Sequence, residues 1–278
     1  MDVSGFHPID VDHCWISSYS GIIAYTSNAG RLWNYYHLES GFRINSIWFY
    51  DKENGVVVGD DGVIFRSGDG GKNWTRVESG TESNLRKVIF SDPDNGLIVG
   101  HKGVILRSFD GGKTWQAIDA PDNDVSGKQP DFINVAISSP QHWALIDSTY
   151  LFLTDDAGTS WEVLRATVPF TNQYLTAVDR YSDRHYAVAA ASIGSNGFQS
   201  TIVITTTDKG ENWSNFTTGA FNSYSLKYVD ENNGFLSLNY YNYVFTIDAR
   251  YYVCYRWLRG SLEIKRREGF LVEPAKTR

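Results

Sequence analysis

Hydrophobic residues in this chain come in short runs punctuated by turn residues. VVV at 56–58, VIF at 63–65, LIV at 97–99 and VIL at 104–106 are each bounded by Gly, Asp, Lys or Arg. Short apolar runs rich in β-branched types and closed by turn residues read as buried strands. The clearest stretch predicts strands at Ile44–Tyr50, Val56–Gly59, Val63–Ser67 and Trp74–Val77, and the next repeats them at Leu85–Phe90, Leu97–Gly100, Val104–Ser108 and Trp115–Ile118. The connectors DKENG (51–55) and SDPDNG (91–96) carry the residues of tight turns. Each unit is therefore a four-stranded β-meander, the size of one propeller blade.

An eight-residue phrase marks the units. SGDGGKNW (67–74), SFDGGKTW (108–115), TDDAGTSW (154–161) and TTDKGENW (206–213) all fit Ser/Thr-x-Asp-x-Gly-x-x-Trp. TSNAGRLW (26–33) fits except that Asn28 replaces the Asp. Trp33, Trp74 and Trp115 are 41 residues apart each time. The same register brings DENNGFLSLNYYNYVFTIDAR (230–250) onto DKENGVVVGDDGVIFRSGDGG (51–71), with Gly234 on Gly55 and Asp248 on Asp69. A recurrence of this period means a repeat architecture whose units cannot bury their own faces alone. The units run approximately 1–38, 39–79, 80–119, 120–166, 167–218 and 219–258, with 259–278 a partial unit or tail, all within a single domain. The sequence thus predicts an all-β propeller of four-stranded antiparallel blades. Seven blades are favoured, the last incomplete, because EGFLVEP (268–274) echoes NGFLSLN (233–239); six is the alternative. The sixth box decays directly after Asp248, as a shifted reading frame would produce.

The phrase has a structural reading that needs no catalysis. It connects a hairpin. A short carboxylate such as Asp69 accepts backbone N–H bonds across its own turn, and the Ser or Thr hydroxyl adds another. Gly71 supplies a positive φ that a Cβ would penalise. The Trp buries its ring against the blade, worth a few kcal/mol, roughly. The expected structural set is Asn28, Gly30 and Trp33; Ser67, Asp69, Gly71 and Trp74; Ser108, Asp110, Gly112 and Trp115; Thr154, Asp156, Gly158 and Trp161; Thr206, Asp208, Gly210 and Trp213; and Asp248.

Composition narrows the function. The formal net charge of −7 argues against a nucleic-acid backbone as partner. No 18-residue apolar run is present, so no membrane span is expected. MDVSGFHPID at the start has neither a basic nor an apolar segment of a signal peptide. Cys14 and Cys254 are too few for a disulfide framework; two free, buried thiols are expected, and a bridge joining the ends of a ring is the other reading. The six His form no metal-ligand spacing, and Gly70–Gly71 and Gly111–Gly112 lack the following helix of a phosphate loop. No metal or cofactor is expected.

These residues resemble the Asp-box, or bacterial neuraminidase repeat, superfamily of β-propellers. Within it, NGVVVGDDGVIFRSGDGGKNW (54–74) and NGLIVGHKGVILRSFDGGKTW (95–115) look like the photosystem II assembly and stability factor family. The resemblance implies a non-enzymatic, seven-bladed scaffold that binds a protein, a membrane-protein assembly among the candidates. It also implies an extracytoplasmic place (periplasm, lumen or exterior), with the cytoplasm as alternative where a signal peptide is lacking. A monomer is expected. The runner-up is a glycan-acting or glycan-binding propeller of sialidase type. Sialidases need three converging Arg, the first in Phe/Tyr-Arg-Ile-Pro; this chain offers FRIN (42–45), with Asn45 in place of the Pro. FRINSIWF (42–49) aligns with SNLRKVIF (83–90), an ordinary entry into an inner strand, and Arg66 and Arg107 are repeat positions.

A partner is expected at the end of the blades opposite the boxes. There the second-to-third strand turns and the blade-to-blade links vary, as binding loops do. The candidate contacts are Arg43, Asp60, Asp61, His101, Lys102, Phe170, Tyr240 and Tyr241.

Overall fold

The computed structural model describes residues 3–38, 41–121, 128–165, 173–193, 199–217, 222–228, 233–239, 243–248, 252–258 and 261–266. Beyond Asn215, side chains are described only at Leu226, Lys227 and Tyr228. Every regular element among these residues is a strand.

The strands form antiparallel meanders in chain order. The first sheet comprises β1 (Val3–Pro8), β2 (Cys14–Ser18), β3 (Ile22–Thr26) and β4 (Asn34–His37); the second, β5 (Ile44–Phe49), β6 (Gly55–Gly59), β7 (Ile64–Ser67) and β8 (Thr75–Val77). The third holds β9 (Leu85–Phe90), β10 (Gly96–Gly100), β11 (Ile105–Ser108) and β12 (Gln116–Ile118); the fourth, β13 (Asn134–Ile137), β14 (Trp143–Ile146), β15 (Tyr150–Thr154) and β16 (Glu162–Arg165). The fifth is built of β17 (Gln173–Arg180), β18 (Tyr186–Ile193), β19 (Gln199–Thr206) and β20 (Ser214–Thr217). The sixth has β21 (Asn222–Tyr228), β22 (Asn233–Asn239), β23 (Tyr243–Asp248), β24 (Tyr252–Leu258) and a fifth strand, β25 (Ser261–Arg266), paired with β24. The stretch 268–274, read from sequence as further strands, lies outside the described residues.

Two compact units divide the chain: 1–147 with 152–163, and 148–151 with 164–278. In the first, successive sheets pack face to face. Ile47, Phe49, Val57 and Phe65 of the second sheet bury against Trp15 and Ile23 of the first. Val56, Val58 and Ile64, on its other face, bury against Leu85, Val88, Phe90, Ile98 and Leu106 of the third. This is why VVV (56–58) is an uninterrupted apolar run: a strand covered on both faces has no solvent side to alternate toward. Rings fill the seams, with Trp15 stacked on Phe49 at 4.1 Å between centroids and Trp74 edge-on to Phe49 at 5.9 Å. In the second unit, Asp179 of β17 accepts from the Lys227 ammonium at 3.1 Å and from the Tyr228 backbone N–H.

The innermost strand carries a bulge at one repeated place. Pairing skips Ser4, Asn45, Arg86, Thr176 and Tyr224 in sheets one, two, three, five and six. A bulge bends its strand and re-aims the extra residue.

The sixth sheet departs from the sequence alignment by one residue. Gly55 pairs with Ser67 in the second sheet, whereas Gly234 pairs with Ile247 rather than Thr246 in the sixth. Asp248 therefore falls one position short of the box register.

Candidate protein-binding face

The two ends of each sheet are built differently, and the difference separates scaffold from candidate site. At one end lie the boxes. Ser67 Oγ accepts from the N–H of Gly71 at 2.8 Å and donates to Asp69 Oδ1 at 2.9 Å. Asp69 Oδ1 also accepts from the N–H groups of Lys72 and Asn73, and Oδ2 takes the Asn73 amide at 2.6 Å. Asp110, Asp156 and Asp208 are held in the same way by Thr114, Ser160 and Asn212. Asn28 reproduces half of this, accepting from Thr26 and the Leu32 N–H through Oδ1. The side-chain donor four residues on, followed by backbone N–H groups, holds the Asp69 and Asp208 carboxyls below the usual range and brings Asp156 down to about 2. At Asp110, burial acts in the opposite sense but is outweighed by Thr114 and the turn N–H groups. These carboxylates are occupied within their own turns, which suits a scaffold role.

Two consecutive left-handed residues make each turn, where the sequence suggested one. Gly70 and Gly71 have φ of 80° and 87°, and the pairs Ala29–Gly30, Ala157–Gly158 and Lys209–Gly210 do the same with a non-glycine first member. The Arg before the box ties neighbouring sheets together. Arg66 Nε donates to the Gly111 carbonyl at 2.8 Å, and Arg107 Nη2 donates to the Pro140 carbonyl at 3.2 Å.

At the other end, the turns between the second and third strands are fixed through their backbones. Asp61 and Lys102 sit at φ of 56° and 55°. The Asp61 N–H donates to Asn84 Oδ1 at 3.1 Å, and the Lys102 N–H to Asp131 Oδ1 at 2.9 Å, both from links into the next sheet. With backbones so held, the side chains of Asp61 and Lys102 are left exposed. Beside them, the Arg43 guanidinium lies 4.2 Å over the Tyr19 ring, and its Nε is 3.9 Å from Asp60 Oδ2. Asp60 is half-buried and engaged by the Asn45 amide at 2.7 Å, so it anchors the turn. Asn45, the residue standing where FRIN departs from the sialidase motif, also donates to the Leu85 carbonyl.

Sequence reasoning missed Arg86. It is the bulged residue of β9, in the repeat position of Asn45, and its Nε donates to His101 Nε2 at 2.8 Å. That bond requires a lone pair on Nε2. Arg43, Arg86, His101 and Lys102 thus belong to one end of two neighbouring sheets. The signal was present in the alignment of FRIN with SNLR, but a bulge is invisible in a residue pattern. Phe170, Tyr240 and Tyr241 lie outside the described residues. Among the described residues, no group of three or more metal-ligating side chains occurs, and no helix is long and apolar enough to cross a membrane.

Repeated four-stranded meanders, each closing its third turn with a hydroxyl–carboxylate–glycine–tryptophan box, define an Asp-box β-propeller. The sequence pattern of the family described as Photosynthesis system II assembly factor YCF48 matches residues 1–82 and 77–184, and the chain belongs to that family. No curated protein sequence matches the chain. Among solved structures, YCF48 bound to D1 peptide is similar with a TM-score of 0.57 and 17% identity, over 89% of this chain and 91% of that one. YCF48 from Cyanidioschyzon merolae gives a TM-score of 0.54 and 16% identity, over 89% and 93%. An ancestral GH74 enzyme gives 0.59 and 15%, covering 95% of this chain but 40% of the enzyme. At these identities the likenesses speak for fold.

Proposed function

We propose that this chain is a non-enzymatic, protein-binding scaffold that takes a segment of the D1 protein on the loop end defined by Arg43, Arg86, His101 and Lys102. The carrying observation is that loop end: Arg43 and Lys102 are exposed, on and beside turns whose backbones are already fixed, so that little ordering cost accompanies binding. Family membership and a YCF48 structure bound to D1 peptide support the choice of partner. Arg43 and Arg86 offer guanidinium groups suited to carboxylates, and Tyr19 adds an aromatic anchor beside Arg43. The opposite end is a poor candidate, since its carboxylates are taken up within the boxes. A monomer in an extracytoplasmic compartment goes with this reading.

The test is affinity for the D1 peptide by isothermal calorimetry. The Arg43→Ala/Lys102→Ala variant should bind at least tenfold more weakly. Lys72→Ala, in a box, should bind as wild type does. Equal binding by the loop variant, or loss in the box variant alone, would overturn the proposal.

A further inference from the structure

Two cavities flank the outer strand of the second sheet and share three residues along it. One, of about 890 Å³, is lined by Thr75, Arg76, Val77 and Glu78 together with Lys113 and Trp115 from the next box. The other, of about 680 Å³, is lined by Arg76, Val77 and Glu78 together with Asp61 and Glu82. The three shared residues make a single track along β8.

The track has three properties of a strand-binding site. First, β8 is the terminal strand of its sheet, with pairing described only to β7. A terminal strand offers backbone N–H and C=O groups for a further strand. Second, its charge is graded. Lys113 lines only the cavity toward the box, and Asp61 and Glu82 only the cavity toward the far end, while Arg76 and Glu78 line both and the Arg76 guanidinium lies 5.3 Å over the Phe42 ring. Arg66 and Asp69 also line the box end, but each is engaged by the bonds already described. Third, this protein accepts such a strand elsewhere. In the sixth sheet β25 pairs antiparallel to the outer strand β24, from Val253↔Arg266 to Leu258↔Ser261.

We propose that the β8 track binds an extended segment of a partner protein as a fifth, antiparallel strand. Because β8 runs from the box toward the far end, an antiparallel segment begins beside Asp61 and Glu82 and finishes beside Lys113. Its opening residues are therefore basic and its closing residues acidic, with apolar side chains between them to meet Val77 and Trp115. This surface meets the Arg43–Lys102 cluster at Asp61 and where Arg76 packs on Phe42, and Lys113 lies away from both.

The probe is a fluorescein-labelled heptapeptide, Lys-Val-Lys-Val-Glu-Val-Glu, titrated with the full chain by fluorescence anisotropy. It should bind at least tenfold more tightly than the same composition in reverse order. Methylating alternate backbone nitrogens should weaken it at least tenfold, which a purely electrostatic groove would not do. The Lys113→Glu variant should remove the preference for order, with its thermal transition retained. Equal affinity for both orders, undiminished binding of the methylated peptide, or no binding at millimolar protein overturns the proposal. If the variant does not fold, the two peptide comparisons on the wild-type chain still decide. The substitution touches neither Arg43 nor Lys102, so failure here leaves the D1 reading standing, and the reverse also holds.

Discussion

Two glycines at the same box position differ in what a side chain would meet, and this separates backbone strain from packing. Gly30 and Gly112 have φ of 78° and 77°. Replacing either by Ala therefore carries a similar left-handed penalty, about 1–2 kcal/mol. At Gly30 the nearest atoms to an added Cβ belong to its own Trp33, at 3.7 Å, an ordinary contact. At Gly112 the new Cβ would lie 2.8 Å from Val56 Cγ2 in the second sheet and 3.3 Å from Phe90 and Trp115. Val56 is fully buried and cannot yield without disturbing the core around it. Such overpacking adds about 1–3 kcal/mol. Gly30→Ala should thus lose about 1–2 kcal/mol and Gly112→Ala about 2–5 kcal/mol. The assay is urea denaturation followed by tryptophan fluorescence and by far-ultraviolet circular dichroism, accepted where the two transitions coincide. The double variant Gly112→Ala/Val56→Ala should recover part of the loss, a coupling of about 1 kcal/mol or more. Equal losses for the two glycines, with additivity in the double variant, would refute the claim that the box is seated against the neighbouring sheet.

Ser67→Ala removes the acceptor of the buried Gly71 N–H and should cost about 1–3 kcal/mol in the same assay. Acidification should destabilise the protein in two windows. Burial, opposed by a bond to the Phe49 carbonyl and reinforced by the nearby Lys87 charge, lowers the His7 imidazole to about 4. A depressed imidazole is neutral in the fold and charged when unfolded, so stability falls as pH drops from about 6.5 to about 4. The box carboxylates, lowered in the fold, contribute stability above about pH 4 that is lost as pH falls through their folded values. A His7→Gln variant should lose the first window and keep the second; a chemical-shift titration of His7 that moves between pH 5 and 8 would contradict this. Burial raises the Cys14 thiol to about 11. In a Cys254→Ser background, Cys14 should react with a thiol reagent at pH 8 about a hundredfold more slowly than an ordinary cysteine.

The local chemistry of this protein was legible in its residues. Ser67, Asp69, Gly71 and Trp74 recur with a spacing that only one turn explains, and short two-sided apolar runs such as 56–58 already imply sheets stacked on sheets. The repeat period is a property of the chain itself, so strand order followed from it. Arg86, by contrast, could not be singled out, because its aim depends on a bulge in pairing with Gly100 and Val99. That the Asn45 amide reaches Asp60, a candidate contact, likewise depends on the bulge at Asn45 and could not be read from the residues. The one-residue shift of Asp248 arises from pairing between β22 and β23, which an ungapped alignment cannot register. The charge gradient along β8 likewise joins Lys113 to Asp61, residues from different turns. Sequence determines what each turn and strand can be, since those preferences are set by neighbours a few residues away. Only tertiary structure decides which side chains meet, since that depends on bulges, registers and sheet faces fixed by contacts between distant repeats.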